Sequence, residues 1–246
     1  AGVEINTYPS ISEAAAGAAI ESALAAEPGQ HLLVINPNNP TGLRIEPGKL
    51  ARWAGMLAPE CCLIVDEAFI DTAPGASMLP DHLGQNVIVL RSFGKFFGLA
   101  GIRLGFVFAN ESLRKRLCAS IGPWAVTGPS QAVAIAALRD IGWQSGARQR
   151  ITEAGEHSRR LFAPLLEANR VTSTGQGLLF TSYRLRREEA DRIFDFFARR
   201  GILLRQIALD QRDSLLRVGL ISPDCHAAKA RVRHVIDSYQ GRIDSD

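Results

Sequence analysis

The chain has 246 residues, 46% of them hydrophobic and 22% charged, the balance of a globular protein with a core to bury rather than of a disordered or fibrous one. Lysines and arginines number 28 against 25 aspartates and glutamates, for a net charge of +3, too small a bias to imply a nucleic-acid or membrane partner. The apolar runs at 32–35, 61–65 and 87–90 are strand-sized, far below the ~20 residues of a membrane span, and the absence of a basic-then-apolar leader leads us to expect a cytoplasmic protein.

Helical spacing opens the chain after Ser10 (Ile11, Ala14, Ala15, Ala18, Ala19), with Ser10 or Ser12 as the cap. A strand over 31–35 runs into Asn36-Pro37-Asn38-Asn39-Pro40-Thr41-Gly42. Two prolines there withhold backbone donors and push the residues before them out of the helical region, so a fixed turn is expected at the strand end. Next come a helix over 47–57 and a strand over 62–65 that ends in Asp66-Glu67-Ala68-Phe69. A strand over 87–90 ends in Arg91-Ser92-Phe93-Gly94-Lys95, and a strand over 105–109 leads to a helix from about 112. Strands alternating with helices predict an α/β fold, a mainly parallel sheet with helices on both faces. The polar clusters all follow strands, where open α/β sheets collect their ligands.

From about residue 130 the character changes. Helices are expected over 130–139 and 144–168, then a strand over 178–183 and a helix over 187–200 stopped by Gly201. A strand pair over 202–206 and 214–219 and a helix over 224–239 complete the chain. This divides the sequence into a large domain over 1–142 and an interdomain helix with a smaller C-terminal α/β domain over 143–246. Cys61, Cys62, Cys118 and Cys225 have no CxxC spacing that would hold zinc or a redox disulfide, and buried reduced thiols are expected.

Only four lysines occur: Lys49, Lys95, Lys115 and Lys229. Three sit in amphipathic helical contexts. Lys95 lies instead among glycines and phenylalanines after a strand, and desolvation there would make it a better amine nucleophile. Asp66 and Glu67 end an apolar strand, where a carboxylate pair is costly to bury without a cation; they form a structural ion pair or helix cap, or else Asp66 faces a protonated ring nitrogen. Asn39 offers an amide to a neutral oxygen or a phenolate. Ser92 and Arg103 flank Lys95 and could hold a phosphate. Arg217 is either an edge-strand charge or a ligand for a substrate carboxylate. An amine, an acid and a cationic cup are what pyridoxal phosphate requires.

NPNNPTG at 36–42, DEAF at 66–69 and SFGKFFGLAGIRLG at 92–105 resemble, in family order, the three signatures of fold-type I, class I/II aminotransferases. DEAFID at 66–71, SFGKFFGLAG at 92–101 and GPWAV at 122–126 resemble most the threonine-phosphate decarboxylase subfamily of cobalamin biosynthesis. The resemblance implies that Lys95 attaches the cofactor aldehyde and shuttles protons, Asp66 pairs with the ring nitrogen, and Asn39 bonds the phenolic oxygen. Ser92 and Arg103 would hold the cofactor phosphate, Phe69 would line the cofactor site, and Arg217 would grip the substrate carboxylate. Phe69 stands where many relatives carry tyrosine, and Gly94 where many carry serine; both departures fit the decarboxylase subfamily.

The implied reaction is decarboxylation of L-threonine O-3-phosphate to (R)-1-amino-2-propanol O-2-phosphate, in a homodimer. The alternatives are a histidinol-phosphate-type aminotransferase or an inactive remnant. The match falls on the later part of the family's length. The N-terminal arm, the glycine-rich phosphate loop and the ring-stacking aromatic have no counterpart before Ala1, so an incomplete phosphate cup is expected.

Overall fold

The computed structural model describes residues 4–170 and 179–243. Two compact units form, one of residues 1–39 and 43–141, the other of residues 40–42 and 142–246.

In the first unit, α1 (Glu13–Ala26) starts at Ser12, whose hydroxyl accepts from the Ala15 N–H, as an N-cap must to satisfy an orphan donor. β1 (Leu32–Ile35), β2 (Leu63–Asp66) and β3 (Val87–Ser92) are parallel neighbours, and β4 (Gly105–Phe108) closes the sheet antiparallel to β3. α2 (Pro47–Ala54) lies between β1 and β2 in sequence and ends three residues before the spacing predicts, at a turn through Gly55 and Met56. Alternate strand residues Leu32, Val34, Leu63, Val65, Val87 and Val89 share one core with Ile20 and Leu24 of α1 and Leu50 and Trp53 of α2. Each such buried side chain contributes about 1.5–3 kcal/mol. On the opposite side of β1, Leu33 remains 54% exposed.

Gly105 is required where β4 meets β3. A Cβ there would sit 2.8 Å from the Arg91 carbonyl oxygen, inside van der Waals contact.

α3 (Glu111–Ile121) is capped by Asn110, and α4 (Gly128–Arg139) by Thr127. α4 is almost wholly apolar after Gln131, yet its buried residues are only Ser130 and Ala134. Val133 and Ile135 point to solvent, Leu138 is partly exposed, and Trp124 just before the helix is 92% exposed.

The second unit holds a three-stranded antiparallel sheet of order β5-β7-β6: β5 (Phe180–Arg186), β6 (Arg205–Ala208) and β7 (Asp213–Gly219). Leu178, the predicted start of β5, lies outside the described residues. The long α5 (Ile141–Leu166), α6 (Arg187–Ala198) and α7 (His226–Ile243) pack with the sheet around Phe162, Tyr183, Ile193, Phe197, Leu216 and Ile236. β6 starts later than its apolar run. Gly201 takes a positive φ of 71°, and the Ile202 N–H turns back to the Phe197 carbonyl, so residues 201–202 close α6 instead of entering the strand.

Candidate active site

Three parallel strands deliver their C-terminal ends side by side. Ile35 is in register with Asp66, and Asp66 with Leu90. The ladder continues one step further: the Asn36 N–H donates to the Asp66 carbonyl at 2.8 Å, and the Glu67 N–H to the Leu90 carbonyl at 2.9 Å. Residues 36–39, the 66–69 segment and the 92–95 segment therefore share one edge of the sheet, where α/β sheets place ligands.

The turn is pinned from inside. Asn36 is fully buried; its Nδ2 donates to the Ile45 carbonyl at 2.9 Å and its Oδ1 accepts from the Ile45 N–H at 2.8 Å. Both backbone groups of a buried residue are thus satisfied by one amide. Asn39, three residues on, is half-buried. Pro40 to Gly42 group with the second unit, where the Ser182 hydroxyl donates to the Pro40 carbonyl.

At the end of β2, Asp66 Oδ1 accepts from the Ala68 N–H at 2.9 Å, which leaves Oδ2 for a further donor. At the end of β3, the Ser92 hydroxyl accepts from the Gly94 N–H at 3.1 Å, and its own O–H remains to donate. Lys95 Nζ lies 5.5 Å from the centroid of the Phe69 ring, within cation–π range. That contact joins the third signature to the second.

The structure corrects one expectation about Lys95: its side chain is exposed rather than desolvated. Phe93 and Phe96 turn into the core, 2% and 5% exposed, while Gly94 and Gly98 offer no side chains to cover the lysine, and Phe69 stands over it. No carboxylate among the described residues pairs with it. Arg103 is exposed as well, and adopts the left-handed conformation at φ 51°; its Nη1 donates to the Ala100 carbonyl at 3.2 Å. Its segment meets β3 at the backbone, where the Phe93 N–H donates to the Leu104 carbonyl at 3.3 Å. A cavity of about 210 Å³ lies beside Ser92, lined by Asp71, Arg91, Leu138 and the phenylalanines at 93, 97, 106 and 108 but by neither Asp66 nor Lys95.

Arg217 belongs to the second unit. Its strand, β7, is the central one, so Arg217 is not an edge charge. It stands opposite Ser182 on β5 and Arg205 on β6, with its guanidinium 4.8 Å from the Phe180 ring centroid. Burial, and secondarily the facing Arg205 cation, hold its pKa below the usual arginine value.

The ion pair at the end of β2 involves Glu67, not Asp66. Glu67 is fully buried with its Oε2 2.9 Å from Arg91 Nε. Sequence spacing shows the costly carboxylates but does not reveal that the strand arginine preceding Ser92 is the compensating cation. Parallel pairing of β2 with β3 would have supplied the signal, since it sets residues 67 and 91 on adjacent strand ends.

A model of the aminotransferase class I and II family matches residues 1–231. The chain belongs to this family. Among its curated members, the threonine-phosphate decarboxylase of Pseudomonas aeruginosa is 44% identical over 202 residues, 82% of this chain and 58% of that relative. Histidinol-phosphate aminotransferase 1 of Legionella pneumophila is 30% identical over 178 residues, 71% of this chain and 47% of the relative. The chain thus spans about half the length of the curated aminotransferase-family members it matches. In fold it resembles the histidinol-phosphate aminotransferase of Sinorhizobium meliloti crystallised with pyridoxal-5'-phosphate, at TM-score 0.67 and 24% identity over 89% of this chain and 62% of that one. This likeness carries the fold-type I architecture of the family to the chain. No helix among the described residues is long and apolar enough to cross a membrane.

Proposed function

We propose that the chain is the pyridoxal-phosphate-binding part of a decarboxylase acting on L-threonine O-3-phosphate, with (R)-1-amino-2-propanol O-2-phosphate as product. The observation that carries the cofactor assignment is the junction of Lys95 with Phe69 at the edge where β1, β2 and β3 end. The substrate assignment is supported by the 44% identity to the decarboxylase of Pseudomonas aeruginosa. The residues fit the cofactor chemically: an accessible amine, a carboxylate with one oxygen to spare, a hydroxyl with its proton to spare, and a guanidinium on the neighbouring segment.

In this reading Lys95 holds the cofactor through Nζ and later carries a proton to or from the substrate's α-carbon. Asp66 Oδ2 keeps a proton on the ring nitrogen. Asn39 donates to the phenolic oxygen, and Phe69 packs beside the amine. Ser92 donates to the phosphate, and Arg103 adds a bidentate cation on leaving its contact with Ala100. Arg217 is proposed as the ligand of the substrate carboxylate. When bound, pyridoxal phosphate supplies an electron sink for the charge left at the α-carbon. Which bond breaks is decided by how the protein orients the substrate. We further propose two domains, 1–142 and 143–246, a homodimer that covers the apolar face of α4, and a cytoplasmic location; of the cysteines expected to be buried, Cys61 is, while Cys118 and Cys225 are exposed.

The identity to Legionella histidinol-phosphate aminotransferase supports a second reading, transamination by the same residues. Two measurements test the proposal. Borohydride reduction with pyridoxal phosphate is expected to fix the cofactor to the peptide carrying Lys95, and Lys95→Ala to abolish that adduct. Incubation with threonine phosphate is expected to release carbon dioxide without a 2-oxo acid. Dependence on a 2-oxo acid would establish the aminotransferase instead, and absence of any adduct would refute the cofactor assignment.

A further inference from the structure

We infer that the buried Glu67–Arg91 pair is a positioning element that holds Phe69, and through it the Lys95 amine, at the edge where Asp66 and Ser92 end their strands. The inference rests on the pyridoxal-phosphate reading above. A single guanidinium makes three contacts: Arg91 Nε lies 2.9 Å from Glu67 Oε2, Nη1 donates to Asp71 Oδ1 at 2.7 Å, and Nη2 donates to the Ser77 hydroxyl at 2.8 Å. Both oxygens of Glu67 have further partners. The Ser77 hydroxyl donates to its Oε2 at 2.7 Å, and the Met78 N–H to its Oε1 at 2.7 Å.

The placement of these contacts gives them a function. Glu67 and Asp71 bracket Phe69 by two residues on either side, and Arg91 grips both. Glu67 also follows Asp66 directly, and Arg91 directly precedes Ser92. Successive residues of an extended strand face opposite sides, so the ion pair anchors one side while Asp66 faces the other, and Ser92 lines one cavity with Arg91 and Asp71. Charges removed from water hold their partners more rigidly than exposed ones, and loss of one partner leaves the other uncompensated. Lysine in place of Arg91 keeps the charge but has no planar fork, so it can reach Glu67 or Asp71 but not both.

The test compares the wild-type chain with Arg91→Lys, Glu67→Gln and Asp71→Asn, each with and without pyridoxal phosphate. Without cofactor, amide hydrogen exchange is expected to speed at least tenfold at residues 68–72 in Arg91→Lys and Asp71→Asn, with the α1–α2 core unchanged. With cofactor, the visible circular dichroism per bound molecule is expected to fall by half or more, and the dissociation constant to rise about tenfold. A purely structural role would lower the unfolding midpoint while leaving the dichroism per bound cofactor at the wild-type value; that result, or unchanged exchange at 68–72, overturns the inference. Asp71 lies at the partly exposed end of the network, so Asp71→Asn decides the matter should Glu67→Gln fail to fold. A wild-type chain that takes up no cofactor refutes the functional reading alone, and the exchange measurement then decides the positioning role.

Discussion

Replacing Asn36 separates the turn's architecture from its chemistry. In Asn36→Ala, the Ile45 N–H and carbonyl lose partners at 2.8 and 2.9 Å in a fully buried setting. Leaving a buried backbone group unsatisfied costs ~1–3 kcal/mol, so two such groups, partly relieved by relaxation, destabilise the first unit by about 3 kcal/mol. Asn36→Asp is the sharper variant. Its carboxylate can still accept from the Ile45 N–H, but its other oxygen then faces the Ile45 carbonyl, acceptor against acceptor in a dry site. A loss at least as large as for alanine is expected. Trp53 is fully buried in the first unit, and its fluorescence in a Trp124→Phe, Trp143→Phe background reports unfolding of that unit by urea. With a slope of ~1–3 kcal/mol per molar, the midpoint should fall by about 1–3 M. An aspartate variant within about 0.5 kcal/mol of the wild type would refute the reasoning, because surface substitutions fall within that range and Asn36 would then be behaving like one.

Gly105→Ala places a methyl 2.8 Å from the Arg91 carbonyl, and the β3–β4 pairing must separate to admit it; a loss of ~1–3 kcal/mol is expected in the same urea assay, while Gly101→Ala, which meets nothing within 4 Å, serves as the near-neutral control. Tyr183→Phe should leave stability at pH 7 unchanged or slightly raised, because the Tyr183 hydroxyl is buried without a hydrogen-bond partner among the described residues. Burial, and secondarily the Glu167 charge, push its pKa up to about 12. A folded-state value above the ordinary 10 means that stability is fully present below pH 10 and is lost as the pH rises toward 12. Thermal melts between pH 9 and 11.5 should therefore show a steeper alkaline decline for the wild type than for Tyr183→Phe.

Much of the fold is legible because strand-sized apolar runs are bounded by unmistakable punctuation. Ser12 caps α1, the prolines at 37 and 40 end β1, and Gly201 stops α6. Element boundaries drift where two local hydrogen-bonding options compete, as at Ile202, whose N–H closes a helix instead of starting a strand. Strand direction is also not written locally. Gly105–Phe108 reads like the other apolar runs, yet it runs antiparallel, a choice made by the short connection through residues 93–104. The candidate site divides in the same way. The three signatures name the residue types, but burial is a tertiary property: Phe93 and Phe96 are spent on the core and leave the amine exposed. Glu67 and Arg91, 24 residues apart, find one another only through the sheet.

Helix α4 has a practical implication. Its hydrocarbon side chains and the indole of Trp124 face water with little charge among them, and such a surface is adhesive. Concentrating the chain should therefore drive the proposed pairing through this face, more strongly in salt and less in mild detergent. Exchanging Val133 and Ile135 for glutamate or lysine is the direct route to a dispersed sample for the urea measurements described above.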